Sequence, residues 1–100
     1  MKIRIGYYDW EIVEREAVTL EGEPCWGLCI PDLRTIEIDG GMTDNRGEVL
    51  LHELIHAIMC QEGYAHSQRW ERLVNALSRG IVQVLRDNPT ILAPPPQPRP

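Results

Sequence analysis

Glu48-Val49-Leu50-Leu51-His52-Glu53-Leu54-Ile55-His56-Ala57-Ile58 divides the chain into a strand-like half before it and a helical half that it opens. Upstream, in Thr43-Asp44-Asn45-Arg46-Gly47-Glu48, Asn45 as N-cap with Glu48 three residues on resembles a capping box. A helix is therefore predicted from there to about Glu62, with Gly63 supplying the stop. Within that helix His52 and His56 are four residues apart and share one face, while Glu53 lies beside them.

The second half holds one more helix. Trp70, Leu73, Val74, Leu77, Ile81, Val84 and Leu85 recur at spacings of three and four, an apolar face more than four turns long. Ser67 suits its N-cap, and Asp87-Asn88-Pro89 ends it, because proline disfavours helical backbone in the residue before it. The first half, up to about Thr43, reads as strands. Ile3 and Ile5 alternate with Lys2 and Arg4, and Ile36 and Ile38 with Glu37 and Asp39, ahead of Gly40-Gly41. Trp10–Leu20 and Cys25–Ile30 are weaker strand candidates on either side of a turn at Glu21-Gly22-Glu23-Pro24. The expected fold is α+β, an antiparallel sheet of three or four strands packed on two antiparallel helices.

The chain has 100 residues, 43% hydrophobic and 25% charged, which suits one small domain and excludes two. Six of the eight prolines follow Asn88, so the folding unit is expected over residues 1–88 with a flexible Pro-rich tail over 89–100. So small a core gains from a bound metal. Ten basic against fifteen acidic residues, a net charge of −5, argue against nucleic acid and anionic membranes as partners. No apolar run has the length of a signal peptide or a membrane span, and Cys25, Cys29 and Cys60 match no zinc-ribbon spacing, so reduced thiols and a cytoplasmic location are expected. Cys25 and Cys29, four apart, would share one face of a strand as small buried residues, and Cys60 would pack one turn after His56. Trp10, Trp26 and Trp70 read as core or rim residues.

The chemistry concentrates in the H-E-x-x-H pattern, which arises by composition alone in about 1% of such chains. Two imidazoles on one helical face can hold Zn²⁺, and Glu53 can reach a zinc-bound water as general base. Catalytic zinc takes three protein ligands. The candidates for the third are Glu71, about 90° around the second helix from the centre of its apolar stripe, and His66 in the preceding loop. Tyr64, His66, Tyr7 and Tyr8 are candidates for stabilising a developing oxyanion, and Thr35–Asp39 is the candidate sheet edge for a peptide substrate.

Three stretches carry a family resemblance: Ile3-Arg4-Ile5-Gly6-Tyr7 with Trp10-Glu11-Ile12-Val13, the histidine run from Glu48 to Ile58, and Gly80-Ile81-Val82-Gln83-Val84-Leu85-Arg86-Asp87-Asn88-Pro89. Together they resemble the small phage- and prophage-encoded metallopeptidases, minimal zincins of the gluzincin kind. The resemblance implies a zinc metallopeptidase acting on a peptide or protein in a bacterial host, with Glu71, ahead of Val74 and Leu77, as third ligand. Ala65-His66-Ser67-Gln68-Arg69-Trp70 is instead similar to the His-Ser-x-x-aromatic segment of SprT-like metallopeptidases, which implies His66 in that place. The competing expectation is a zinc-stabilised binding or regulatory module without hydrolytic activity, in which a fourth protein ligand closes the site.

Overall fold

Period-two alternation of apolar and polar residues builds six strands, and 3.6-residue periodicity two helices, in the computed structural model, which describes residues 1–41 and 44–94. Strands β1 (Lys2–Ile5) and β2 (Tyr8–Arg15) form an antiparallel hairpin. Strands β3 (Val18–Leu20) and β4 (Glu23–Cys25) form a second, separate hairpin. Its turn is Glu21-Gly22, both at positive φ, as a two-residue primed turn requires, and Glu23 and Pro24 belong to β4 rather than to the turn expected there. Strand β5 (Gly27–Ile30) leads through one 3₁₀ turn at Pro31–Leu33 into β6 (Thr35–Asp39). Cys25 and Cys29 accordingly lie on different strands of different sheets, not on one face of a single strand.

The main sheet has the order β1-β2-β6-β5. The expected all-antiparallel sheet is corrected at one pairing: β2 and β6 are parallel, because β6 returns from the intervening strands to lie between β2 and β5. Thr35–Asp39 is therefore a central strand rather than the expected edge, and Ile36 and Ile38 are completely buried. Alternation identifies a strand with one buried face but carries no information about which neighbours pair with it. The free edges of this sheet are β1 and β5.

Helix α1 (Arg46–Gln61) lies on the sheet, where Ala57 joins Ile5, Trp10, Ile12, Ile36 and Ile38 in the core and Val49, Leu50 and Leu54 pack around them. Gln61 pins its end to the first hairpin, accepting from the Trp10 indole and donating to the Ile5 carbonyl at 2.9 Å. The expected capping box is absent. Asn45 sits in the left-handed region at φ 54°, where its side chain makes no cap hydrogen bond, since an N-cap side chain reaches the first turn from extended backbone. The other end follows expectation: Gly63 at φ 95° and Tyr64 donate to the Cys60 and Met59 carbonyls, the paired bonds of a glycine-terminated helix.

Helix α2 (Gln68–Asp87) begins at Ser67, whose hydroxyl accepts from the Arg69 amide at 3.2 Å. It runs antiparallel to α1, with Glu71 beside His56 and Arg79 beside Glu48. Its apolar stripe is not centred on α1. Val74 and Ser78 are the buried residues of α2, with Trp70, Glu71, Val82 and Leu85 partly covered, while Leu73, Leu77, Ile81 and Val84 face outward. The covered face is rotated by about 60° from the stripe centre at 100° per residue. Of the expected tail, residues 89–94 continue from α2 with hydrogen bonds from Ile91 to Asn88 and Ala93 to Thr90, and residues 95–100 lie outside those described, as does the boundary expected at Thr43.

One glycine fixes the approach of β5 to α1. A Cβ on Gly27 would lie 2.8 Å from Val49 Cγ1 and 3.1 Å from Glu53 Cγ. Gly27→Ala is expected to cost about 1–3 kcal/mol in denaturant unfolding, the usual penalty for overpacking, whereas Gly47→Ala, with open space around it in the first turn of α1, should be neutral or stabilising.

Candidate metal centre

The i, i+4 spacing on α1 brings the His52 and His56 Nε2 atoms to 3.2 Å from one another. The first turn of α2 then delivers Glu71, with Oε2 3.4 Å from His52 Nε2 and Oε1 2.7 Å from His56 Nε2. The three offer ligand atoms that all lie within 4.8 Å of one another. Donors about 2.0–2.1 Å from a tetrahedral zinc stand about 3.3–3.4 Å apart, so two of the three short separations already match the edges of such a site. The donor set, two imidazoles and a carboxylate, suits zinc.

Glu53 supplies a second sign that the group is built for a cation and water. Its carboxyl is buried, its Oε2 has no hydrogen-bond partner among the described residues, and His52 Nε2 is 3.9 Å from its Oε1. An orphaned buried carboxylate oxygen is costly unless something occupies the space before it. Burial, and next the Glu71 charge, raise the Glu53 carboxyl to about 7. Burial pushes the His56 imidazole down against the opposing pull of Glu71.

His66 lies next to this group without being part of it. Its Nε2 is 3.2 Å from Glu71 Oε1, and its ring centroid is 4.9 Å from that of His56. Tyr64 packs edge-on against Trp70, and with His66, His56, Met59, Cys60 and Cys29 it lines an apolar cavity of about 100 Å³. Tyr7 and Tyr8 are elsewhere, at the β1–β2 turn, where the Arg34 guanidinium covers the Tyr8 ring at 4.0 Å. Neither borders the cavities that contain the histidines.

A larger cleft of about 460 Å³ runs past the three candidate ligands, bounded by Gly27, Leu28 and Cys29 of β5 and by Leu20 and Cys25 of the β3–β4 hairpin. The sheet edge beside the histidines is thus β5, not β6. Asn75 lines this cleft and was not singled out in the sequence; its position four residues after Glu71, on the same face of α2, is the signal that identifies it. All three cysteines are free thiols, and burial, helped by the Glu53 charge, pushes the Cys29 thiol up to about 12, which leaves it protonated and a poor metal ligand.

The raised Glu53 carboxyl links stability to pH in the metal-free protein. Between about 4.5 and 7 the folded state holds a proton on Glu53 that the unfolded state releases, so this carboxyl's contribution to stability is fully present below the window and declines as pH rises through it, while the depressed His56 imidazole contributes in the opposite sense. Glu53→Gln is expected to abolish that decline, exceeding the parent by up to about 3 kcal/mol above pH 7 and matching it near pH 4.5 in chemical unfolding with a chelator present. Comparison with protein-family models, with curated proteins and with solved structures finds no match to this chain, so function is argued from the geometry of the site.

Proposed function

We propose that the protein is a zinc-dependent metallopeptidase in which His52, His56 and Glu71 hold the metal and Glu53 is the general base. The observation that carries this reading is the convergence of His52, His56 and Glu71, from two helices, beside a buried carboxyl that lacks a partner. A zinc ion held there supplies a Lewis acid that acidifies water and polarises a carbonyl. Glu53, raised to about 7, is matched to accept a proton from water near neutral pH and pass it to a leaving amine.

The remaining residues serve the peptide. The free edge of β5 borders the cleft, and an extended substrate adding to it would align its backbone past the histidines, with Cys29 and Leu28 beneath it. His66, which lines the cleft, and Tyr64, which borders the neighbouring cavity, are the candidates for stabilising a developing oxyanion. The three free thiols favour a reducing compartment, and no helix among the described residues is long and apolar enough to cross a membrane, in keeping with a cytoplasmic substrate. The resemblance to small phage-encoded gluzincins supports the same activity.

One observation favours the second reading, a zinc-stabilised binding module without hydrolysis. His66 touches Glu71 and its ring lies tilted beside that of His56, close enough to complete a closed site as a fourth ligand.

Metal analysis of purified variants and hydrolysis of a mixed peptide substrate test the proposal together. Glu53→Gln should keep one zinc per chain and lose hydrolysis by at least about 100-fold. Glu71→Ala should weaken zinc affinity at least about 100-fold, whereas His66→Ala should leave it within about tenfold. Undiminished hydrolysis by Glu53→Gln removes the proposed base, and the reverse ranking of Glu71→Ala and His66→Ala transfers the ligand to His66.

A further inference from the structure

The outward face of α2 is the largest feature that the candidate metal centre leaves unused. Leu73, Leu77, Ile81 and Val84 are 50, 42, 37 and 39% exposed, a continuous stripe three turns long that no described segment covers. Helix α2 packs on α1 with one side only, so the stripe stands at the surface of the molecule. A contiguous apolar patch of this kind marks an interaction site rather than ordinary surface.

The stripe has the chemistry of a surface that pairs with itself. About a two-fold axis crossing the middle of α2 near Ser78 and Arg79, two antiparallel copies set Leu77 against Ile81 and Leu73 against Val84, to within about one residue. The same axis sets Arg69, near the start of the helix and about 75° from the stripe centre, against Asp87 at its end on the same flank. Arg69 rests on the Trp70 ring and has no acidic partner within its own chain among the described residues, and Asp87 contacts only its helical neighbours Gln83 and Arg86. Opposite charges thus lie at opposite ends of one stripe, the arrangement that an antiparallel pair satisfies and a parallel pair does not.

Gly80 agrees with this arrangement. It lies in the interior of α2, where glycine costs about 1 kcal/mol relative to alanine, and nothing in the chain is within 4 Å of where its Cβ would be. It therefore has no packing role within one copy. On the helical wheel it adjoins Leu73 and Val84 on the flank that carries Arg69 and Asp87, and Ala76 precedes it by one turn, so a second helix can approach closely along that flank.

We infer that the outward face of α2 is a homodimer interface, in which two copies of this chain pack α2 against α2 in antiparallel fashion through Leu73, Leu77, Ile81 and Val84, with Arg69 of each copy facing Asp87 of the other. The interface lies on the side of α2 away from Glu71 and leaves the metal cleft open in both copies, so it stands independently of any catalytic role.

Sedimentation equilibrium of the full chain over a range of concentrations tests this. The parent is expected to reach twice the mass of one chain, and Leu77→Arg, at a position outside the core, to remain a monomer with unchanged circular dichroism. Arg69→Asp and Asp87→Arg should each weaken dimerisation about tenfold alone, since each replaces two attractive contacts by two repulsive ones, and an equal mixture of the two variants should restore it. A parent that is monomeric at every concentration overturns the inference and leaves the stripe to a different protein. A dimer indifferent to Leu77→Arg, or single-charge variants that the mixture does not rescue, overturns it as well.

Discussion

The carboxylate of Glu71 set between His52 and His56 is the contact on which the arrangement of the two helices depends. Helix α1 is held by the sheet, through Ala57 and the isoleucines of β2 and β6, and would be placed without its neighbour. Helix α2 has no such support. It buries Val74 and Ser78 and otherwise meets α1 through polar and partly covered residues, so its rotation about its own axis is set where Glu71 reaches the imidazoles. A metal bound there would draw on the same three groups, relieve the mutual repulsion of Glu53 and Glu71, and fasten the outer helix to the sheet-bound one. Binding energy in such a site becomes folding energy.

That constraint has a consequence on the opposite side of α2. Turning the helix to present Glu71 to α1 carries Leu73, Leu77, Ile81 and Val84 away from it. Free to optimise apolar burial alone, the helix would rotate by about 60° and withdraw the carboxylate from the histidines. The polar cluster and the apolar stripe thus compete for one helix, and the cluster prevails within the single chain. Association of two copies through the stripe resolves the competition without moving Glu71.

Much of this was legible in the sequence, and the exceptions have physical causes. The helix boundaries followed from local signals, since the Ser67 cap and the Gly63 stop act within a turn of where they sit. The meeting of His52, His56 and Glu71 was legible because helical spacing fixes the first two and the angular offset of Glu71 from the stripe admits the third. The parallel pairing of β2 with β6 was not, because strand order depends on how non-local backbone edges meet and the alternation of Ile36 and Ile38 looks the same in any order. The assignment of the substrate edge to Thr35–Asp39 failed for the same reason. The capping box failed differently: Asn45 and Glu48 have the right identities and spacing, but a left-handed backbone at Asn45 turns its side chain from the helix. The outward stripe was visible as periodicity, while its exposure was not, because periodicity gives the direction of an apolar face and not what covers it.

The central claim is that one metal ion sits between α1 and α2 on the side chains of His52, His56 and Glu71. A zinc-edge anomalous difference map from crystals grown with zinc tests it most directly. The account predicts a single strong peak within bonding distance of His52 Nε2, His56 Nε2 and a Glu71 oxygen, with Glu53 beside it but not bonded. A peak bonded to His66 in place of Glu71, a peak on the thiols of Cys29 or Cys60, or no peak between the helices would contradict it.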